Sequence, residues 1–133
     1  MYPSPFYRVV AKAFITNQAG HVLVVRESDE FWSLPGGGLE HGETAATCLK
    51  REIKEELGIS DIHVDKIVHS ATIHLDKRNI WMSWNVYAAT IENHDFTFGD
   101  GVTDAKYIDI AELSDSEHIL EQLLVETYRA IQR

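Results

Sequence analysis

Three consecutive glycines, Gly36 to Gly38, stand shortly before an amphipathic helical pattern, and this pairing constrains the fold more than any other feature. A run of glycines suits a loop that needs unusual backbone angles or the close approach of another group. From Ala45 to Leu57 the apolar residues fall on one helical stripe, with Thr44 as the N-cap and Gly58 as the C-terminal stop. The segment therefore predicts a glycine loop, near which a ligand binds, followed by a helix.

Apolar and β-branched stretches on both sides of this helix predict the other elements. Two strands separated by a polar, Gly-containing turn are expected to open the chain as a hairpin. Two longer strands, a polar loop, a short strand and a second helix follow the first helix. The class is therefore α/β or α+β, in a single domain over residues 1–133. The predicted strands are Val9 to Ile15, His21 to Arg26, Ile62 to Ile73, Ile80 to Ile91 and Tyr107 to Ile110, with links at His74 to Asn79 and Asn93 to Gly101 and a second helix over Leu120 to Ile131.

Three glutamates on the first helix point to a metal site. Glu52, Glu55 and Glu56 stand at positions i, i+3 and i+4, so their carboxylates project from one face beside the apolar stripe. Like charges at this spacing repel one another, and hard carboxylate oxygens suit Mg²⁺ or Mn²⁺. Magnesium commonly completes its shell with substrate phosphates, which implies a phosphate substrate. The alternative interpretation is an ordinary solvated acidic face.

Charge and cysteine content narrow the possible partners and location. The chain has 21 acidic and 12 basic residues and a formal net charge of −9, which argues against nucleic acid or an anionic membrane as a partner. A single cysteine, Cys48, excludes an internal disulfide and a Cys-rich zinc site, and its place in the helical pattern predicts a buried core residue. No signal-peptide pattern or membrane-length apolar stretch is present, so a cytoplasmic location is predicted.

The segment from Gly37 to Ile59, GGLEHGETAATCLKREIKEELGI, resembles the Nudix box, GX5EX7REUXEEXGU, where U is an aliphatic residue. Glu43 follows the first glycine at the required distance, and Arg51 begins the run REIKEELGI that completes the motif. All nine specified positions within these 23 residues match. The chain is accordingly identified as a member of the Nudix hydrolase family.

The resemblance implies the family's fold and a role for each matching residue. The fold would be an α/β/α sandwich around a mixed β-sheet, with a loop-helix-loop catalytic element over residues 37–59. Glu52, Glu55 and Glu56 would be carboxylate ligands to magnesium, and Gly37 would offer its backbone carbonyl. Arg51 would hold a glutamate in place, and Glu43 would support the junction of loop and helix. The catalytic residues implied are Glu52, Arg51 and Glu55.

The family resemblance also implies hydrolysis of a phosphoanhydride bond in a nucleoside diphosphate derivative. Sequence signals of several subfamilies are missing beyond the box, so the chain most resembles short MutT-type proteins and is expected to convert a nucleoside triphosphate to a monophosphate and pyrophosphate. The alternatives are a sugar-nucleotide or dinucleotide pyrophosphatase and a nucleotide sensor without turnover. A homodimer is possible. The general base is left open between Glu52 and the loop residues Glu92, Asp95 and Asp100. Among the histidines, His41 is the candidate for a catalytic role, because it lies in the loop of the box.

Alternation along the strand from Ile80 predicts two different faces. Ile80, Met82, Trp84, Val86 and Ala88 form a uniformly apolar face expected to pack into the core. The other face combines aromatic rings with hydrogen-bonding groups, which suits a nucleobase. Its alternative role is an interior face covered by the C-terminal helix. The residues expected to contact substrate are Trp81, Ser83, Asn85 and Tyr87 on this face and Asp104 on the following strand.

Overall fold

Strands in two sheets and two α-helices make up the computed structural model, which describes residues 6–28, 30–76 and 79–133. The first sheet has the strand order β4-β1-β6-β5, and the second has the order β3-β2-β7. A short 3₁₀ helix, Ile110–Leu113, precedes the last helix. The elements are β1 Tyr7–Phe14, β2 Val22–Glu27, β3 Trp32–Ser33, β4 Gly36–Gly38, α1 Ala45–Leu57, β5 His63–Leu75, β6 Ile80–Thr90, β7 Val102–Ile108 and α2 Ile119–Gln132.

The first sheet is mixed, because β1 runs parallel to β6 and antiparallel to β4. The α/β/α arrangement expected from the box is confirmed, with α1 and α2 packed against separate apolar clusters. β5 extends to Leu75, so the first two residues of the predicted link, His74 and Leu75, belong to the strand. Residues 77 and 78 of that link lie outside the described residues. β7 begins earlier than predicted, at Val102, and Ile110 belongs to the 3₁₀ helix.

The predicted opening hairpin is wrong. The turn after β1 does form, since Asn17 N–H donates to the His21 carbonyl at 3.0 Å, but pairing beyond it reaches only the isolated bridge of Thr16 with Val22. The two edges of β1 pair instead with β4 and β6, and β2 pairs with β3 and β7. Because β1 already has a neighbour on each edge, β2 is directed into the second sheet.

The glycine run is also an edge strand rather than a loop. Gly36 to Gly38 pair antiparallel with residues 10–12 of β1. Close approach explains the glycines: a Cβ on Gly36 would overlap the Ala11 carbonyl oxygen, and Gly36 has a φ of +131°. Because Gly36 to Gly38 have no side chains, atoms of neighbouring residues contact the backbone of this strand directly.

Helix α1 has the predicted bounds and caps. The Thr44 hydroxyl accepts the Thr47 N–H, and Gly58 closes the helix in the left-handed region at φ 69°. Leu49, Ile53 and Leu57 are fully buried, and Cys48 is a buried free thiol as predicted. This stripe packs against the odd-numbered residues of β1, and α1 thereby lies on one face of the sheet.

Helix α2 covers the opposite face of the sheet, where the even-numbered residues of β1 and β6 lie. Leu123, Leu124 and Val125 pack in the same buried cluster as Trp84. The indole Nε1–H of Trp84 donates to Thr127 Oγ1 at 3.0 Å, and that hydroxyl donates to the Leu123 carbonyl at 2.7 Å. Within the described ranges, no helix is long and apolar enough to cross a membrane.

Replacing Thr127 by Val should destabilise the fold, because the buried Trp84 N–H loses its acceptor. We expect a loss of about 1–3 kcal/mol in the free energy of unfolding, measured by denaturant titration. Thr90→Val, at the exposed end of β6, is the matched control and should change stability little. A Trp84→Phe background should remove most of the Thr127→Val effect; equal losses in both backgrounds would contradict the role given to this hydrogen bond.

Candidate active site

Helix α1 and the loop before β7 bring three carboxylates together. Ligand oxygens of Glu52, Glu55 and Asp100 all lie within 4.8 Å of one another. The loop reaches this position because Thr97 N–H donates to the Leu57 carbonyl at 2.9 Å and Gly99 N–H to the Glu56 carbonyl at 3.1 Å. Asp100 itself has a left-handed φ of 53°, a backbone conformation that non-glycine residues adopt mainly where the surrounding structure requires it. These three residues are called the carboxylate cluster below.

Arg51 organises the carboxylates around the helix. Its Nε and Nη2 donate to the two oxygens of Glu43 at 2.8 and 2.9 Å, a bidentate pair. Nη1 donates to Glu52 at 2.9 Å and to Glu55 at 3.3 Å. Nη2 also donates to the Gly38 carbonyl at 3.2 Å. One guanidinium therefore joins the start of α1, the carboxylate cluster and the glycine strand.

The pKa values of this ion pair follow from the hydrogen bonds. Those from Arg51 lower the pKa of Glu43 to about 2, helped by the Glu40 backbone N–H. Glu43 reciprocally raises the pKa of Arg51 above its ordinary value. Both groups are therefore charged at neutral pH, and the pair holds the loop against the helix.

Two glutamates at the site are partly removed from water. Burial raises the pKa of Glu52, against the opposing effect of the Arg51 hydrogen bond. Burial also raises the pKa of Glu56 to about 7, although the charge of Lys12 and the Gly36 N–H oppose the shift. The Gly36 N–H donates to Glu56 Oε1 at 2.8 Å. Desolvated carboxylates of this kind gain strongly from a nearby cation.

The residues present fit a divalent cation. Glu52 lies so close to β4 that a Cβ on Gly37 would come within 2.6 Å of its carboxyl carbon. A side chain at this position would displace the Glu52 carboxylate from its place against the Gly37 backbone. Three carboxylates within reach of one point supply the hard oxygen donors that Mg²⁺ and Mn²⁺ bind. The chemistry of this donor set therefore suits a divalent metal at the carboxylate cluster.

A cavity of about 770 Å³ opens beside the carboxylate cluster. One end is acidic and the glycine strand forms part of the wall. The other, mainly apolar end is lined by apolar and aromatic residues and also by the polar side chains of Glu30, Asp76, Glu117 and His118. Its size and mixed lining match the small-molecule sites of enzymes. The acidic side chains at one end include Glu27, Glu52, Glu56 and Asp100, the cations are Arg8 and Lys12, and the apolar residues include Phe31, Leu34, Leu75, Ile80, Met82, Trp84, Ile119 and Leu120.

The structure brings together only some of the predicted site residues. Of the predicted box residues, Gly37, Glu52 and Glu56 line the cavity, whereas Arg51 and Glu55 do not, although Glu55 belongs to the carboxylate cluster. The predicted substrate face of β6 lies on the other side of the sheet. The side chains of β6 that line the cavity are Ile80, Met82 and Trp84, from the face expected to be core alone. Trp81, Ser83, Asn85 and Tyr87 are outside the lining, and so are Asp104, His41, Glu92 and Asp95.

The four residues of that β6 face make other contacts. Trp81 stacks on Tyr7 with ring centroids 5.9 Å apart, and Tyr87 packs against the apolar cluster beneath α1. Asn85 Nδ2 donates to the Val10 carbonyl at 3.2 Å and to Ser83 Oγ at 3.0 Å. The alternative interpretation, that α2 covers this face, is wrong, because α2 packs on the Trp84 side. Substrate contact by this face stays a prediction. Strand alternation separated the two faces correctly but could not tell which of them meets the cavity.

Two cavity cations were missed by sequence reasoning. Lys12 is half-buried, and its Nζ donates to the Gly36 carbonyl at 3.3 Å. Burial lowers the pKa of Lys12, while the charge of Glu56 opposes the shift. Arg8 lies on the same face of β1 and lines the same cavity. A lysine inside the apolar stretch VVAKAF was a signal that could have identified this face of β1 as functional.

The α/β/α sandwich places a carboxylate cluster beside a cavity, an arrangement suited to a divalent cation and a small-molecule ligand. The model of the NUDIX domain family matches residues 6–129. The chain therefore belongs to the Nudix family and is a Nudix hydrolase, an enzyme. The prediction drawn from the box is confirmed.

Individual relatives agree with this assignment. Nucleoside triphosphatase NudI of Enterobacter sp. (strain 638) is 29% identical over 119 residues, covering 76% of the chain and 81% of that protein. An RNA pyrophosphohydrolase of Ruthia magnifica subsp. Calyptogena magnifica is 37% identical, but the match spans 48% of the chain and only 36% of that protein. The crystal structure of a MutT protein from Methanosarcina mazei Go1 shares the fold, with a TM-score of 0.82 at 19% identity over 99% of the chain and 97% of that protein.

Removing the charge of Glu43 should destabilise the protein in a pH-dependent way. Its pKa is lowered from 4.5 to about 2 in the folded chain, so its stabilising contribution is complete above the higher value and is lost as pH falls toward the lower one. Glu43→Gln should therefore melt below wild type at about pH 7, and the gap should narrow by about pH 3. Glu40→Gln is the control, since that carboxylate is 3.8 Å from Arg51 and 69% exposed. A gap that stays constant with pH would contradict the assignment.

Proposed function

We propose that this protein is a magnesium-dependent hydrolase of a phosphoanhydride bond in nucleoside diphosphate derivatives. The preferred reaction is conversion of a nucleoside triphosphate to a monophosphate and pyrophosphate. The observation that carries the proposal is the convergence of Glu52, Glu55 and Asp100 within 4.8 Å, beside a cavity with an apolar, aromatic far end. The relative that aligns over most of its length is named a nucleoside triphosphatase, which supports the same substrate class.

The proposed metal ligands are the Gly37 carbonyl and the carboxylates of Glu52, Glu55 and Glu56, with Asp100 added by the structure. Magnesium bound there, or manganese in its place, would neutralise charge on the phosphate oxygens. Arg51 contributes by fixing the orientation of Glu52 and Glu55 through its hydrogen bonds. Its own charge is engaged by carboxylates, so its role is to position them.

The chain's own groups can complete the hydrolysis. A water attacks the β-phosphorus in line, the bond from that phosphorus to the oxygen bridging to the α-phosphate breaks, and the nucleoside monophosphate leaves with the electrons of that bond, so that pyrophosphate is the other product. The proton of the water passes to a carboxylate facing the cavity. Glu52 and Asp100 line the cavity, whereas Glu92 and Asp95 do not, so the first two are the proposed acceptors. Met82 and Trp84, which line the cavity, would face the nucleoside.

Sugar-nucleotide and dinucleotide hydrolysis remain the second candidate reactions. The decisive experiment is a screen of nucleoside di- and triphosphates, ADP-ribose, dinucleotides and sugar nucleotides with magnesium, measuring released phosphate and pyrophosphate. Pyrophosphate release from triphosphates supports the proposal. Tight nucleotide binding with no turnover on any substrate would overturn it in favour of a sensor. Homodimerisation and a cytoplasmic location stay predictions.

Activity should depend on the carboxylate cluster. Glu55→Gln and Asp100→Asn should each lower kcat by at least about 100-fold, because each removes charge from the centre that stabilises the transition state. The Glu55 side chain is 45% exposed, so its variant should fold normally, and circular dichroism should change little when metal is removed. Glu92→Gln and Asp95→Asn, outside the cavity, are matched controls. Near wild-type turnover by Glu55→Gln at saturating magnesium would contradict the metal assignment.

A further inference from the structure

Arg8 occupies a specific place on the wall of the cavity. It lies on the face of β1 that also carries Val10 and Lys12, and all three line the cavity. In the sheet register Arg8 is opposite Met82, Val10 opposite Trp84 and Lys12 opposite Val86. At about 3.3 Å per residue along a strand, the Cα atoms of Arg8 and Lys12 are roughly 13 Å apart. Lys12 therefore marks the Glu56 end of the cavity, and Arg8 lies level with its apolar end.

A glycine makes room for the Arg8 guanidinium. A Cβ on Gly38 would lie 2.7 Å from Arg8 Nη2 and 3.0 Å from Cζ, so a side chain there would require the guanidinium to shift. The guanidinium therefore rests directly on the backbone of β4. The next residue along the strand, Gly37, is the one against which the Glu52 carboxylate packs. Arg8 and the cluster carboxylate of Glu52 thus contact adjoining residues of β4.

Within the described part of the chain, Arg8 has no carboxylate partner that would neutralise its charge. Among residues 6–28, 30–76 and 79–133, no carboxylate forms an ion pair with Arg8 and no side-chain hydrogen bond from it is found. By contrast, Arg51 has four carboxylate partners within 4.0 Å. Arginine presents a planar fork of donors that matches phosphate oxygens bidentately. An unpaired guanidinium on a cavity wall beside a metal cluster is suited to an anion brought by the ligand.

We infer that Arg8 binds the substrate phosphate on the nucleoside side of the carboxylate cluster. This inference rests on the proposed nucleotide substrate, and it adds a residue outside the Nudix box to the binding site. The guanidinium lies between the carboxylate cluster and the apolar end at Met82 and Ile80. It contacts Gly38, one residue along β4 from the glycine that Glu52 contacts. A nucleotide whose scissile phosphate meets the cluster and whose base enters the apolar end has its intervening phosphate oxygens beside Arg8.

The test compares Arg8→Ala and Arg8→Lys with Arg129→Ala, an exposed arginine on α2 outside this cavity. Loss of a charge-assisted bidentate contact should lower kcat/KM for the best nucleotide by about 10- to 100-fold, chiefly through KM. Arg8→Lys should recover part of the loss, because it restores the charge without the fork. Arg129→Ala should match wild type. Equal kinetic constants for Arg8→Ala and wild type would overturn the inference.

A second variant tests the position of the Arg8 guanidinium against Gly38 without removing the arginine. Gly38→Ala places a methyl group against the guanidinium and should weaken binding in the same direction as Arg8→Ala, and combining the two should add little. Calorimetric titration with a non-hydrolysable nucleoside triphosphate analogue gives a readout independent of turnover. Weaker analogue binding by both variants supports the assignment even if the chain hydrolyses no substrate in the screen, an outcome that would refute only the proposed reaction. Unchanged binding by both variants would refute Arg8 as the phosphate contact.

Discussion

The site depends on the hydrogen bonds of one guanidinium. Arg51 binds Glu43 through two of them and reaches Glu52, Glu55 and the Gly38 carbonyl with the others. Without this cation, the carboxylates of one helical face would repel one another and their orientations would be free. With it, the loop before α1, the helix and the glycine strand are held as one unit, and two of the carboxylates face the loop that carries Asp100.

The site also requires a strand without side chains, which the three glycines of β4 provide. The three glycines of β4 form an edge strand on which charged groups rest from different directions, Glu52 at Gly37 and Arg8 at Gly38. A side chain at either position would displace the group that contacts it. An edge strand is suited to this role because one side of it is free of a neighbouring strand. The glycines therefore serve the contacts of the site rather than the flexibility of a loop.

The two faces of the mixed sheet have different roles. One packs beneath α1, and the other both packs with α2 and lines the cavity. Odd-numbered residues of β1 pack beneath α1, which holds the helix that carries the glutamates. On the other face, Val10 and Phe14 of β1 and Met82, Trp84 and Val86 of β6 share one apolar cluster with α2. The same face continues into the cavity, where Met82 and Trp84 are both buried core and cavity wall. Core stability and the shape of the binding cavity are therefore coupled at these two residues.

Local patterns in the sequence determined the elements and much of the chemistry. The bounds and caps of α1, the grouping of Glu52, Glu55 and Glu56, and family membership all follow from residues close together in the chain, because helix geometry relates neighbours at fixed spacing. Pairings between distant residues were decided only by the tertiary structure. Strand alternation cannot show that β1 pairs with β6 rather than β2, that Asp100 joins the helix, or that Trp84 rather than Trp81 meets the cavity. Those outcomes depend on which edges and faces the other elements cover, and local periodicity does not record them.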